Sequence, residues 1–346
     1  MSFTEFIRRM PKVELHVHLE GSIQPETLLL LAERNHVQLP FTTVEGLRNW
    51  YTFTNFSHFI EIYLKISSCI CTPDDIEFIA REFLRGQAAQ NISYSEVTYT
   101  PYTHYALNKK IPFDEQFAAL TRARDWAAKE LGIGVGWVLD ISRNVRPIEH
   151  AITIADWAIS GMNKGVVALG LGGPEVGNPA KLFQAAFDHA HQNGLASAPH
   201  AGETTGAESM WESLNLLHAQ RIGHGVRCLE DPALVEYLRE KQIPLEVCPT
   251  SNLCLGVASS LAEHPLLKLL EAGLYVTINS DDPPMFNTTL TDEYLKVVEA
   301  FDFEIKTIEK FVMNAVNASL LPNVRREVMA REFAEEFLEL REALKI

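Results

Sequence analysis

The chain reads as an α/β protein, a (β/α)8 TIM barrel with a helical insertion after strand 1 and extra helices toward its C-terminus. Three observations predict this. Short apolar runs alternate with amphipathic stretches of helix length, the βαβ signature of a parallel sheet. Eight such runs can be counted, beginning near Val13, Ile92, Ile133, Val166, Leu195, Arg221, Ile243 and Leu274. Several end in ionisable residues followed by turn formers, which is where barrels of this kind carry their chemistry. A length of 346 residues with 47% hydrophobic content suits one such barrel with insertions, so a single domain over 1–346 is expected.

The first run, Val13 to Leu19, contains His16-Val17-His18. In a strand, side chains two apart share a face, so His16 and His18 can converge on one metal ion while Val17 packs behind. The interval 22–90 has helical patterning and carries Trp50, Tyr51, Phe53, Phe56, Phe59 and Tyr63. Long loops over a barrel mouth form lids, whereas the plainer reading has these aromatics packing the insertion itself. Later runs end in Pro199-His200-Ala201-Gly202-Glu203, Arg221-Ile222-Gly223-His224-Gly225 and Thr277-Ile278-Asn279-Ser280-Asp281-Asp282-Pro283. From Thr291 to Ile346 the pattern reads as helix throughout, with the charge-rich Arg325 to Arg341 stretch as a solvated face.

A formal charge of -15 argues against a surface that attracts nucleic acid or anionic lipid, so a small-molecule ligand is expected instead. The five cysteines form no CxxC pair and read as reduced, buried structural residues. The first ten residues lack the apolar core of a signal peptide, and no stretch has the charge-free length of a membrane span. A soluble, cytoplasmic protein is expected; its oligomeric state is not set by the sequence.

Among 12 histidines a single one says little, but this pattern says more. His200 and Asp281 are the natural third and fourth ligands beside His16 and His18. Three imidazoles and one carboxylate with room for a water describe a catalytic zinc site better than a closed, thiolate-rich structural one. Such a metal brings the pKa of water toward about 7, which points to hydrolysis. Glu203 and His224 can then divide acid and base roles. The plainer roles are an N-cap near Thr205 for Glu203 and orientation of a ligand for His224. Asp281 and Asp282 cannot both face one metal from an extended strand end, which leaves Asp282 for a ring nitrogen of the substrate.

These motifs, with Cys248-Pro249-Thr250-Ser251-Asn252 and the opening Pro11 to Ser22, resemble those of the adenosine deaminase group of the amidohydrolase superfamily over nearly the whole chain. The resemblance implies one zinc per chain held by His16, His18, His200 and Asp281. It implies that Glu203 protonates N1 of a 6-aminopurine as hydroxide adds to C6, that His224 is the base toward water, and that Asp282 contacts N7. The segment Leu169 to Glu175 matches the family loop whose glycine amide meets N3, which falls on Gly173.

Two positions depart from the animal enzymes, which have Asp where this chain has Glu20, a position that reaches the ribose, and Asp where it has Gly170. Glu20 also occurs in adenine deaminases of the group. Thr204 to Trp211 is similar to the nucleoside-specific bacterial enzymes, so adenosine or 2'-deoxyadenosine is the expected substrate, with adenine and aminodeoxyfutalosine as alternatives. A two-metal hydrolase is disfavoured because the fourth run ends in Gly170-Leu171-Gly172-Gly173, with no lysine to bridge two metals. A non-catalytic binding protein on the same scaffold is disfavoured because every acid, base and ligand position is filled.

Overall fold

In the computed structural model, which describes residues 2–107 and 110–346, eight parallel strands follow one another around a barrel in chain order. They are β1 (Lys12–His18), β2 (Ile92–Tyr99), β3 (Gly134–Ser142), β4 (Val166–Gly172), β5 (Ala196–Ala201), β6 (Ile222–His224), β7 (Leu245–Val247) and β8 (Val276–Ile278). Helices cover the outer face and side chains fill the inner one, so each strand is buried on both sides; this is why the runs read as apolar without clean alternation. Every strand begins within two residues of its predicted start.

Closure between β8 and β1 is stitched rather than laddered. Val17 bridges Asp281, the His18 amide donates to the Asp281 carbonyl at 2.9 Å, and the Asp281 amide donates to the His16 carbonyl at 3.1 Å. Side chains supply the rest: Asn279 Oδ1 accepts from the amides of Leu15 (3.0 Å) and His16 (3.1 Å), and Glu14 Oε1 accepts from the Ser280 amide (3.0 Å). The seam therefore sets His16, His18 and Asp281 together.

Helix α1 (Ser2–Arg9) precedes the barrel, and the insertion folds as α2 (Pro25–Arg34), α3 (Val44–Trp50), α4 (Phe56–Ser67) and α5 (Pro73–Ala89). The start of α5 is fixed by a capping box: Thr72 Oγ1 accepts from the Asp75 amide (3.2 Å) while Asp75 Oδ2 accepts from the Thr72 amide (2.9 Å). Barrel helices α6 (Phe113–Glu130), α7 (His150–Gly161), α8 (Gln184–Gln192), α9 (Ala207–Leu216) and α10 (Pro232–Lys241) follow β2 to β6, and the short α11 (Pro249–Cys254) and α12 (Leu266–Glu271) lie between β7 and β8.

The extra C-terminal helices number three, α13 (Leu290–Phe301), α14 (Ile305–Ala318) and α15 (Asn323–Leu344), with breaks that the helical pattern does not mark. Asp302 leaves α13 in the left-handed conformation (φ +53°), and Pro322, with no amide hydrogen, stops α14 from running into α15. Helix α15 buries only Phe333, Phe337 and Leu340, in keeping with a solvated face. Among the described residues no helix is long and apolar enough to cross a membrane. All five cysteines are free, but the expectation that all are buried is corrected at Cys254, which is exposed, and Cys71, which is half-buried.

Candidate active site

The strand ends deliver the predicted residues to one pocket at the C-terminal mouth of the barrel. His18, Gly173, His200, Glu203, His224, Asp281 and Asp282 all line it. His16 lies beneath, buried. His18 Nε2 is 3.2 Å from His200 Nε2 and 3.3 Å from Asp281 Oδ1, and His16 Nε2 is 3.5 Å from the same oxygen. The ligating atoms of His16, His200, His224 and Asp281 all lie within 4.8 Å of one another. Five groups thus converge where a four-ligand site needs four; His224 belongs to the mutually close set, and His18 joins it through His200 and Asp281.

This donor set fits a metal ion. Burial first, and then the other imidazoles, hold His200 well below its ordinary pKa, while burial pulls His18 and His224 to about 4 despite the attraction of Asp281. Neutral imidazole is the form that ligates. Burial also opposes charge on His16, but its interactions with the Asp281 and Glu246 carboxylates win and draw it up to about 10. The same two carboxylates that favour a proton there favour a metal cation. His16 Nε2 has no hydrogen-bond partner, and its Nδ1 faces Glu246 Oε2 at 2.9 Å, which fixes the tautomer that leaves Nε2 free.

The adjacent acids are split by their surroundings. Burial works against the Asp281 charge, but His16, His224 and His18 outweigh it and hold the carboxyl well below the usual range; Ser251 Oγ donates to its Oδ2 at 2.7 Å. Burial and the neighbouring Asp281 charge push Asp282 well above that range, and its Oδ1 has no protein partner. Glu203, 3.7 Å from His224 Nε2, is also pushed well up, by burial and then by the charges of Asp281 and Glu175. That direction favours the protonated carboxyl, the form a general acid uses. Glu203 caps no helix: α9 starts at Ala207 behind Gly206.

The Glu20 side chain is fully buried behind the wall: Oε1 accepts from the Thr100 amide at 3.0 Å and faces His104 Nε2 at 3.0 Å, and Oε2 lies 3.5 Å from the Tyr63 hydroxyl. It is not among the residues that line the pocket, and its carboxylate is engaged by these protein groups.

The structure adds residues to which the sequence reading gave no role. The Glu175 carboxylate accepts the amides of Gly202 (2.9 Å), Glu203 (3.2 Å), Thr204 (2.7 Å) and Thr205 (2.8 Å), which fixes the turn that carries Glu203. Asn252 Nδ2 is 3.4 Å from His224 Nδ1, and Glu246 joins His16 to the buried Arg221. The quoted Cys248 to Asn252 motif contained part of this signal, with no role attached. Phe56, Phe59, Ile60, Tyr63 and Leu64 of α4 line the pocket, while Phe59 also stacks on Phe286 at 5.6 Å, as the packing reading of the insertion aromatics expects.

Comparison with known proteins agrees with this geometry. The family model described as adenosine deaminase matches residues 11–336. The chain is 40% identical over 332 residues to an aminodeoxyfutalosine deaminase of Streptomyces avermitilis, covering 94% of this chain and 91% of that one. It is 36% identical to an adenine deaminase of Chlorobium phaeobacteroides (93% and 95% covered). Its fold superposes on the crystal structure of an adenine deaminase from Arthrobacter aurescens with a TM-score of 0.89 at 32% identity (94% and 98% covered). A zinc-bound amidohydrolase from Burkholderia ambifaria gives 0.91 at 25% identity (99% and 95% covered). The chain belongs to the adenosine deaminase family and is an aminohydrolase of that type.

Proposed function

We propose that the protein hydrolytically deaminates a 6-aminopurine, with one zinc ion held by His16, His18, His200 and Asp281. The observation that carries this reading is a buried carboxyl, Glu203, set 3.7 Å from His224, itself one of a convergent imidazole–carboxylate group. Bound zinc supplies the Lewis acidity that makes water nucleophilic near neutral pH. Glu203 donates its proton to N1, leaving C6 open to attack. His224 takes a proton from the attacking water, Asp282 holds N7, and the Gly173 amide meets N3. His224 passes its proton to the amino group, the C6–N bond breaks to release ammonia, and the C6 hydroxyl proton returns to Glu203, leaving the 6-oxo purine.

For the substrate, the apolar α4 wall extends the pocket beyond the polar centre and favours an adenine nucleoside with an enlarged arm. Aminodeoxyfutalosine, named for the relative at 40% identity, fits this description better than adenosine. The buried Glu20 carboxylate, unavailable to a ribose, favours free adenine as the second reading. The acidic composition and five free thiols accord with a cytoplasmic enzyme. Specificity constants on the zinc-loaded protein for aminodeoxyfutalosine, adenosine, 2'-deoxyadenosine and adenine test the assignment. The highest value is expected for the first, and a higher value for any other replaces it.

A further inference from the structure

A second carboxyl inside the pocket belongs to neither the imidazole cluster nor the acid–base pair. Asp140, near the end of β3, lines the pocket, is 4% exposed, and its Oδ1 has no hydrogen-bond partner. Its neighbours on β4 are glycines in register: Gly170 pairs with Asp140, and Gly172 pairs with Ser142. A Cβ on Gly170 would sit 2.8 Å from Asp140 Oδ1, and one on Gly172 would sit 2.6 Å from Oδ2. Those two positions are clear of side chains so that the carboxyl can lie across β4. The nearby Arg143 spends its Nη atoms on the carbonyls of Asn178 (2.8 Å) and His200 (2.5 Å). A buried oxygen in a ligand pocket with no protein donor is where a ligand donor belongs.

Position supplies the rest of the argument, which rests on the reading of the site as a 6-aminopurine deaminase. With C6 at the imidazole cluster, N1 toward Glu203 on the β5 side and N7 toward Asp282 on the β8 side, the ring turns its opposite edge away from the cluster. That edge holds N3, with N9 beside it, and it faces the wall made by Asp140, Ser142, Gly172 and Gly173. We propose that Asp140 is a specificity-determining residue that accepts a hydrogen bond from the substituent on N9, a sugar hydroxyl of the nucleoside. Burial, and then the charge of Glu20, push its carboxyl up to about 8, so at neutral pH it is mostly uncharged and close to an amide in its hydrogen bonding. The N9–H of a free base offers the same kind of donor, and the experiment separates the two.

The test compares wild type, Asp140→Ala and Asp140→Asn on aminodeoxyfutalosine, adenine and 9-methyladenine, the last having no donor at N9. Melting curves check that each variant folds. Asp140→Ala is expected to reduce the kcat/KM ratio of aminodeoxyfutalosine to 9-methyladenine at least about tenfold, mainly through KM. Asp140→Asn, which keeps an acceptor oxygen, restores it to within about threefold. A loss confined to the adenine to 9-methyladenine ratio transfers the contact to N9–H and overturns the sugar assignment. Unchanged ratios in Asp140→Ala, or equal damage in both variants, overturn a substrate contact altogether. If wild type deaminates none of the three, the proposed function fails on its own, and the same ratios are read from dissociation constants.

Discussion

The carboxylate of Glu175 accepts the backbone N–H of Glu203 at 3.2 Å, and it takes the amides on either side of it as well. One side chain from the loop after β4 therefore sets the conformation of the turn after β5. Its negative charge also helps keep the Glu203 proton in place.

Glu175→Gln is expected to destabilise the protein by about 2 kcal/mol, since hydrogen bonds to a charged acceptor are worth about 1.5–3 kcal/mol. Burial favours the neutral acid, but the Thr205 amide and the Arg143 charge outweigh it and hold the folded pKa below the ordinary 4.5. A depressed carboxyl stabilises the fold fully above its unfolded value and loses that contribution as pH falls through its folded value. Denaturation midpoints of chelated wild type and variant should therefore differ at pH 7 and draw together below pH 4.5. A constant difference would count against this role.

His18 and His224 both lie beside Asp281, at 3.3 Å and 3.9 Å, and metal content distinguishes their roles. His18→Ala and Asp281→Ala should lose bound metal after dialysis, whereas His224→Ala should retain it while turnover falls by 10²-fold or more. Elemental analysis of the three variants decides. Metal lost from His224→Ala and kept in His18→Ala would exchange their places.

Glu246→Gln probes the support behind His16. Without the carboxylate at Nδ1, the imidazole is less firmly held in the tautomer that presents Nε2, and metal affinity should drop about 10- to 100-fold. Competition with a chelator measures this directly; an unchanged affinity would mean that Glu246 serves only Arg221.

Much of this was legible in the sequence because the barrel writes its strands as doubly buried apolar runs, and because candidate ligands such as His200 and Asp281 sit at or just past the ends of those runs. The helix breaks at Asp302 and Pro322 were hidden because the surrounding pattern is helical on both sides. Glu175 and Asp140 were not legible as site residues: each acts across strands, one on amides about 30 positions downstream and the other over glycines of β4. The partners of the Glu20 carboxylate were not legible in the sequence because Thr100 and His104, which face it, lie 80 and more positions away.

Glu203→Gln removes the proton donor on which the proposed deamination depends. Ammonia release and loss of the adenine absorbance are followed together on the metal-loaded wild type and on this variant. Wild type should release one ammonia per purine converted. The variant should keep its metal and its melting temperature while losing about 10²- to 10⁴-fold in kcat, because only the proton-carrying acid prepares N1. Near-normal turnover by Glu203→Gln, or no ammonia from any 6-aminopurine with wild type, would contradict the account.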